Sequence, residues 1–189
     1  RRKIPMSENA VQLFTNALVT QNPPYRLSRE LVSARLPSAC TDISDGLASS
    51  LFSMCSYSGL GAIVHEEKFP IHQEGKNIAN QLNMRPMNMT LSGGDWQYLY
   101  AVPEENIGKV FDVSSRLGHQ VTVVGRLING NGVSIKTCEG NYRQLRKVEN
   151  DRFVSCAEGD FFNTISKLEN VFGDSVCEKK VKEFNAYGW

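Results

Sequence analysis

The segment 41–47, Thr-Asp-Ile-Ser-Asp-Gly-Leu, combines residue types that bind metal ions and phosphates. Asp42 and Asp45 lie three residues apart, with Ser44 between them and Gly46 directly after. Carboxylates are the hard oxygen ligands that Mg²⁺ takes in proteins, and a hydroxyl beside main-chain amides at a helix start forms a cradle for phosphate. Gly46 would allow the backbone to approach a bulky phosphate chain. One interpretation of the segment is therefore a magnesium and phosphate site.

A second interpretation of the same residues is purely structural. The apolar spacing predicts an amphipathic helix over residues 43–57 that stops at Gly59 in a left-handed conformation. Its inner face is predicted to consist of Leu47, Leu51, Met54 and Cys55. In such a helix Asp42 or Ser44 would accept a hydrogen bond from a first-turn amide, and Asp45 would complement the helix dipole. Spacing alone does not separate the capped helix from the ligand site.

A second segment, residues 91–100, places two glycines directly before an acid and an aromatic run. Gly93 and Gly94 permit a close ligand approach or a backbone conformation that other residues avoid. Asp95 and Trp96 would then stand at the mouth of a strand, where they offer a charge beside a flat stacking surface. The alternative is a glycine turn with Trp96 packed in the core.

The rest of the chain alternates helical and strand patterns, which predicts a mixed α/β fold. Further helices are predicted at residues 7–19 (capped by Ser7), 27–35, 74–82, 104–117, 160–172 and 176–184. Strands are predicted at residues 61–66, 98–103 and 120–128, with a hairpin turn at 129–132 that leads to a return strand at 133–137. We therefore expect a mixed sheet flanked by helices, since a hairpin rules out a wholly parallel sheet.

Composition narrows the partners that the chain is expected to have. Its 189 residues carry a formal charge of +1, which gives no electrostatic case for nucleic acid. No apolar run is long enough to cross a bilayer, so no membrane partner is expected. The five cysteines form no Cys-x-x-Cys pair, which is typical of cytosolic thiols and predicts a cytoplasmic protein. The first residue is arginine, which indicates that sequence upstream is missing.

Neither histidine nor cysteine supplies an obvious catalytic group. His65, His72 and His119 are too scattered along the chain for a metal set or a catalytic triad. Cys40 adjoins the first motif and could be a reactive thiol, but we expect a small buried residue because no base lies beside it.

Taken together, the motifs resemble a known family. The run 42–47, the Ser-Gly-Leu-Gly-Ala segment at 58–62 and the Ser-Gly-Gly-Asp-Trp-Gln-Tyr-Leu-Tyr-Ala-Val-Pro segment at 92–103 resemble the carboxy-terminal half of thiamine-monophosphate kinases. These enzymes belong with aminoimidazole ribonucleotide synthetase, selenophosphate synthetase and the hydrogenase-maturation dehydratases. The resemblance covers about residues 20–145, and it implies the fold of the carboxy-terminal domain of aminoimidazole ribonucleotide synthetase.

The resemblance also implies an activity and assigns residues to it. The expected reaction is ATP-dependent phosphorylation of a small metabolite such as thiamine phosphate, with Mg²⁺. Asp42 and Asp45 would be the magnesium ligands. The nucleotide phosphates would contact Ser44 and Gly46, and the substrate would contact Asp95, Trp96 and Trp189. The expected assembly is a homodimer, formed by this chain together with its amino-terminal half.

The same resemblance suggests a division of the chain. Residues 1–150 would form the domain, and residues 151–189 a helical carboxy-terminal extension ending in Gly188 and Trp189. The ATP-binding amino-terminal half is not recognised here, so the chain is expected to be inactive alone. Since Gly-Gly-Asp-Trp-Gln-Tyr stands where the family commonly has Gly-Gly-Glu-Asp-Tyr-Glu, two alternatives stay open: another ATP-using synthetase, and a non-catalytic ligand-binding or regulatory domain.

Overall fold

The computed structural model describes residues 4–90, 96–145 and 172–175. Within them, the helices are α1 (Glu8–Val19), α2 (Tyr25–Ser33), α3 (Leu47–Ser58), α4 (Gln73–Gln81) and α5 (Ile107–Arg116). The strands are β1 (Ala39–Asp42), β2 (Leu60–His65), β3 (Tyr98–Ala101), β4 (Gly125–Asn129), β5 (Gly132–Lys136), β6 (Tyr142–Leu145) and β7 (Phe172–Ser175). Short 3₁₀ turns lie at Glu66–Lys68, Pro86–Thr90 and Glu104–Asn106. None of the helices described in these ranges has the length and apolar character that crossing a bilayer requires.

The strands of the described residues form one five-stranded sheet and one separate two-stranded ribbon. The sheet has the order β4-β2-β5-β6-β7, with β2 and β5 parallel and the other neighbours antiparallel. The ribbon pairs β1 with β3 in antiparallel register, from Ala39 opposite Ala101 to Asp42 opposite Tyr98. The predicted class, a mixed sheet with helices, is confirmed.

Helix α3 packs on the sheet and builds the main core. Its predicted inner face is confirmed, since all four residues of that face are at most 9% exposed. The helix ends at Gly59 with φ of 68°, the left-handed stop that the sequence indicates. The buried cluster comprises Leu47, Ala48, Leu51, Cys55, Ala62, Val64, Phe69, Met87, Val133, Ile135 and Leu145. Alternate residues of β2 and β5 contribute to it because side chains alternate across a strand.

A smaller cluster joins helices α2 and α5. It consists of Leu27, Leu31, Leu36 and Val110. The β1–β3 ribbon lies against both cores, because Leu99 packs on the main cluster and Tyr100 on the smaller one. Consecutive residues of β3 thus anchor the ribbon on opposite sides.

The hairpin predicted at residues 129–132 is wrong. Strands β4 and β5 do not pair with each other, because β2 lies between them, antiparallel to β4 and parallel to β5. The short connection crosses the start of β2, where a Cβ on Gly61 would lie only 3.0 Å from the carbonyl oxygen of Gly132. The glycine at position 61 therefore leaves room for the crossing chain. The strand predicted at residues 120–128 is also shorter in the structure, since β4 begins only at Gly125.

Other elements also differ from the predictions. Helix α3 begins at Leu47 rather than at residue 43, and the strand β1 was not predicted. Strand β7 stands where the junction between the predicted helices 160–172 and 176–184 was expected, and it pairs with β6. The remainder of the two predicted carboxy-terminal helices lies outside the described residues. Helix α1 has its predicted Ser7 cap, in which Oγ accepts from the Ala10 amide, but Val11 and Val19 are exposed.

A polar network, the Arg85 clamp, closes the carboxyl ends of the parallel strands β2 and β5. The Arg85 guanidinium donates to Oε2 of Glu66 at 2.6 Å and to Oε1 of Glu139 at 2.7 Å. The amide of Cys138 also donates to Oε2 of Glu66, at 2.9 Å. Glu66 is only 8% exposed, and a buried carboxylate needs such partners because desolvation of the charge is costly.

Candidate functional site

Asp42 ends strand β1 and begins a loop that leads into helix α3. The ribbon continues by one bond beyond it, since the Ile43 amide donates to the Gln97 carbonyl at 3.0 Å. The Gly46 amide then donates to the Ile43 carbonyl at 2.9 Å and closes a tight turn. Gly46 has φ of 94° and ψ of 154°, a conformation that only glycine adopts readily. We call residues 42–46 the Asp42 loop.

This geometry corrects the predicted first turn of the helix. Ser44 and Asp45 lie in the Asp42 loop rather than in α3, and the N-cap residue is Gly46, which has no side chain to accept an amide. The Ser44 hydroxyl donates to Oδ2 of Asp42 at 2.5 Å. A bond between these two side chains orients the Asp42 carboxylate from within the loop, and it differs from the helix cap that the structural interpretation assigns to them.

Strand alternation explains which side chains accompany Asp42. On β1 and β3, Cys40 lies opposite Tyr100 and Asp42 opposite Tyr98, so these four residues share one face of the ribbon. Leu99 lies on the other face and packs on the main core. The ribbon thus presents the Asp42 carboxylate and the Tyr98 ring on one face, where Tyr100 also packs against the smaller cluster, and Leu99 holds the opposite face on the main core.

An open pocket of about 500 Å³ lies on this side of the ribbon. Its lining residues are Pro23, Cys40, Thr41, Asp42, Trp96 and Tyr98. Trp96 is 40% exposed, so its ring is accessible as a stacking surface and is not packed in the core. The structure therefore brings together two residues from the two sequence motifs, Asp42 and Trp96, at one concave surface.

Two titratable groups of this face, Cys40 and Tyr100, stay protonated at neutral pH. Desolvation raises the pKa of Tyr100 to about 12. Partial desolvation, offset in part by the hydrogen bond with Ser28, raises the pKa of the Cys40 thiol, although Cys40 is exposed and not buried as predicted. Neither group is set up as a nucleophile or general base, so the chemistry that this face supports is the holding of ligands.

The donor set suits a metal ion shared with a ligand rather than a closed protein cage. Among the described residues, no group of three or more His, Cys, Asp or Glu side chains is placed to hold a metal. Mg²⁺ is usually held by one or two carboxylates together with substrate phosphates and water. The carboxylate of Asp42 is exposed at the pocket and oriented by Ser44, and Asp45 is exposed three residues later. These residues fit that mode of binding.

Comparison with known protein families identifies the fold. Residues 4–137 match the family model described as AIR synthase related protein, C-terminal domain. The chain belongs to this family. The predicted family and the predicted fold are thereby confirmed.

Several relatives within the family are thiamine-monophosphate kinases. The chain is 32% identical over 114 residues to the enzyme of Methanopyrus kandleri and 29% identical over 118 residues to that of Pyrococcus horikoshii. These matches cover 60% and 61% of this chain and 34% of each relative. The chain therefore spans about a third of the length of these curated relatives.

Solved structures show the same fold. The thiamine-monophosphate kinase of Stenotrophomonas maltophilia superposes with a TM-score of 0.62 at 20% identity, over 70% of this chain and 41% of that one. The hydrogenase maturation protein HypE of E. coli superposes with a TM-score of 0.56 at 18% identity, over 66% and 39% of the two chains. The AIR synthase-related domain thus keeps its architecture at low sequence identity.

The residues predicted for the site divide into three groups. Asp42, Ser44 and Trp96 are brought together by the ribbon, the loop and the pocket. Asp45 and Gly46 lie in the same loop, where the Gly46 amide is used by the turn. Asp95 and Trp189 lie outside the described residues, as do Gly93 and Gly94.

One functional candidate, Ser50, was not predicted from the sequence. It is 6% exposed on helix α3, and its hydroxyl lies 2.7 Å from the Asp42 carbonyl oxygen. The only sequence signal is its position four residues after Gly46, where a helical serine reaches the carbonyl one turn back. Its contact with the Asp42 carbonyl depends on the tertiary fold and has no counterpart in the sequence spacing.

Proposed function

We propose that this chain is the carboxy-terminal part of an ATP- and Mg²⁺-dependent kinase that phosphorylates a small phosphorylated metabolite such as thiamine phosphate. The observation that carries the proposal is the Asp42 carboxylate, oriented by Ser44 at the edge of a pocket that also exposes Trp96. The thiamine-monophosphate kinases among the relatives support the same reaction class.

The proposed roles follow from the chemistry of the side chains. Asp42 and Asp45 hold Mg²⁺, which when bound neutralises charge on the phosphates of both substrates. The Ser44 hydroxyl, already fixed against Asp42, contacts a nucleotide phosphate, and Gly46 lets the loop turn closely around it. The protein contributes mainly position and charge in such a transfer, so no nucleophilic side chain is required.

The acceptor side of the proposal uses the second motif. Trp96 offers a flat ring to an aromatic substrate, and stacking on an accessible aromatic ring typically contributes about 1–3 kcal/mol. Asp95 and Trp189 are assigned to the substrate by the family resemblance. Catalysis in this proposal takes place in a homodimer, together with an amino-terminal half.

Calorimetric titration of the chain with ADP or ATP, with and without Mg²⁺, tests the metal and nucleotide roles. Asp42→Asn and Asp45→Asn each remove a charged ligand and are expected to weaken Mg²⁺-dependent binding at least about tenfold. Asp112→Asn is the matched control, because Asp112 is an exposed acid on helix α5. Its binding should equal that of the wild type.

Two outcomes contradict the proposal. Nucleotide binding that does not need Mg²⁺, or that survives both substitutions unchanged, would show that these aspartates hold no metal. Binding of thiamine phosphate alone, without nucleotide or metal, would instead favour a ligand-binding domain. Product analysis with thiamine phosphate and ATP, on the chain together with an amino-terminal half, then tests the transfer itself.

A further inference from the structure

The buried hydroxyl of Ser50 connects the two ends of the Asp42 loop. Ser50 Oγ lies 2.7 Å from the carbonyl oxygen of Asp42, which begins the loop, and 3.1 Å from that of Gly46, which ends it. The Ser50 amide also donates to the Gly46 carbonyl, at 3.2 Å. One residue of the first turn of α3 therefore contacts the loop at both of its ends.

The shorter contact is the one that bears on the site. A serine hydroxyl has a single proton to donate, and the 2.7 Å distance favours the Asp42 carbonyl as its acceptor. The Thr41 hydroxyl also reaches that carbonyl, at 3.3 Å, but Thr41 is the preceding residue on the same strand. The Ser50 bond differs because it ties the end of β1 to the helix and so fixes the backbone that carries the Asp42 side chain.

The position of Ser50 in the core gives this bond its rigidity. The neighbouring α3 residues Ala48 and Leu51 are 0% and 4% exposed and belong to the main cluster. The helix is thus held by the five-stranded sheet, whereas Asp42 and Asp45 of the loop are exposed. A hydrogen bond from this packed helix to the Asp42 carbonyl fixes the main chain of the loop relative to the core.

We propose that Ser50 is a positioning residue for the Asp42 loop, and that loss of its hydroxyl weakens metal–nucleotide binding without removing any ligand atom. This inference rests on the proposed function, since it assumes that the loop holds Mg²⁺ and phosphate. Ser50 touches neither group and acts through the main chain of Asp42.

The helix itself supplies a matched control. Ser58, at the other end of α3, has its hydroxyl 2.8 Å from the Met54 carbonyl and 3.2 Å from that of Cys55. It makes the same bond to the preceding turn as Ser50 makes with Gly46, but within the described part of the chain no hydrogen bond joins it to the Asp42 loop. Ser58→Ala therefore removes a helical serine hydroxyl of the same kind and leaves the site alone.

The experiment measures two quantities on the complete chain. Hydrogen exchange of the loop amides should become about tenfold faster in Ser50→Ala, and affinity for Mg²⁺–ADP should fall about tenfold, the lower end for loss of a group that orients a metal ligand. Ser58→Ala should change neither. Ser50→Thr, which keeps the hydroxyl, should restore both towards the wild-type values.

Ser50→Cys is the second variant, because a thiol is close in size but a much weaker donor. It should reproduce the losses of Ser50→Ala with less disturbance of the core. Circular dichroism and the melting temperature establish that each variant is folded under the conditions of the two measurements.

The outcomes separate this inference from the proposed function. If wild type binds Mg²⁺–ADP, Asp42→Asn abolishes the binding and both Ser50 variants bind normally, the positioning role is overturned while the proposed function stands. If wild type does not bind, the proposed function fails, and the exchange measurement alone decides whether Ser50 holds the loop. Unchanged loop exchange in Ser50→Ala and Ser50→Cys overturns the inference in either case.

Discussion

Strand β1 precedes helix α3 in the sequence and strand β2 follows it, and the two strands differ in their exposure to solvent. Residues 61–64 of β2 are buried at the centre of the sheet, whereas three of the four residues of β1 are exposed. Among the described strands, β2 has a hydrogen-bonded neighbour on each side, whereas β1 pairs only with β3. The rigid part of the molecule and the candidate site are therefore built from adjacent segments of chain.

The difference shows how this fold separates stability from ligand contact. Burial of β2, β5 and α3 removes apolar surface from water, which is the main stabilising term in folding. The β1–β3 ribbon contributes less burial, and an isolated pair of strands is marginally stable. It is held by Leu99 and Tyr100 against the two cores. Its outer face is consequently available for Asp42, Trp96 and a ligand.

Among substitutions that test this difference between the sheet and the ribbon, the largest loss of stability is expected in the sheet, at Gly125. A Cβ at this position would lie 2.2 Å from the Ile63 carbonyl oxygen and 2.7 Å from the Val64 Cα, both main-chain atoms of β2. Because these atoms cannot move without shifting the sheet, Gly125→Ala should destabilise the protein by about 3 kcal/mol or more. Chemical denaturation of both proteins measures the difference in the free energy of unfolding.

Gly108→Ala provides the control for Gly125→Ala. A Cβ on Gly108 would meet no atom within 4 Å, and alanine is the better helix former in α5. This variant should be neutral or stabilised by up to about 1 kcal/mol. Equal stability of the two variants would contradict the tight contact between β4 and β2.

The sequence predicts well those elements whose apolar residues form a local periodic pattern. The inner face of α3 repeats at helical spacing, and β2 is a short apolar run, so both could be read directly. Strand β1 could not, because Ala-Cys-Thr-Asp has no clear alternation and its partner β3 lies far along the chain. The start of α3 was placed too early because Ile43 continues the apolar spacing back from Leu47, while Gly46 breaks the helix.

The hairpin shows why tertiary pairing overrides a local signal. Asn129-Gly130-Asn131-Gly132 has the composition of a two-strand turn, and β4 and β5 do run in opposite directions around it. Nothing in that segment indicates that β2, more than sixty residues earlier, occupies the space between them. Among the site residues, Asp42 and Trp96 could be predicted from their types and motifs, whereas Ser50 depends on the packing of α3 against the ribbon.

A smaller loss of stability, with a larger loss of binding, is expected in the Asp42 loop. Gly46 has φ of 94°, and a residue with a side chain in this region is strained by about 1–3 kcal/mol. Gly46→Ala should lower the free energy of unfolding by that amount. Since the loop must also relax, binding of Mg²⁺–ADP should fall more than it does for variants of equal stability elsewhere. Denaturation and calorimetry on the same preparations measure both.

Gly59→Ala distinguishes the effect of backbone strain from the effect of a position within the Asp42 loop. Gly59 ends the same helix with φ of 68°, and a Cβ there would meet no atom within 4 Å. The substitution should cost about 1–2 kcal/mol through the left-handed conformation alone. It should leave nucleotide affinity unchanged because it is remote from the loop. If both glycine variants lose affinity in proportion to stability, the loop has no special role.

The smallest effect is expected at the surface end of the Arg85 clamp, and it depends on pH. The Arg85 guanidinium lowers the pKa of Glu139 from its usual 4.5 to about 2. A carboxyl group whose pKa is lower in the folded state stabilises the protein above its unfolded pKa, and this contribution is lost as the pH falls through the folded value. The stability difference between wild type and Glu139→Gln should therefore be constant above about pH 5.5 and shrink between about pH 4.5 and 2. Thermal melts across this range measure the difference, with Glu104→Gln as an exposed control. A difference that stays flat down to pH 2 would show that the ion pair with Arg85 does not stabilise the protein through Glu139.

The effect should be small because Glu139 is exposed and water screens the pair. The Arg85 clamp would then stabilise the sheet mainly through the buried carboxylate of Glu66. The carboxylates of the Asp42 loop, Asp42 and Asp45, are exposed instead, where a ligand can reach them.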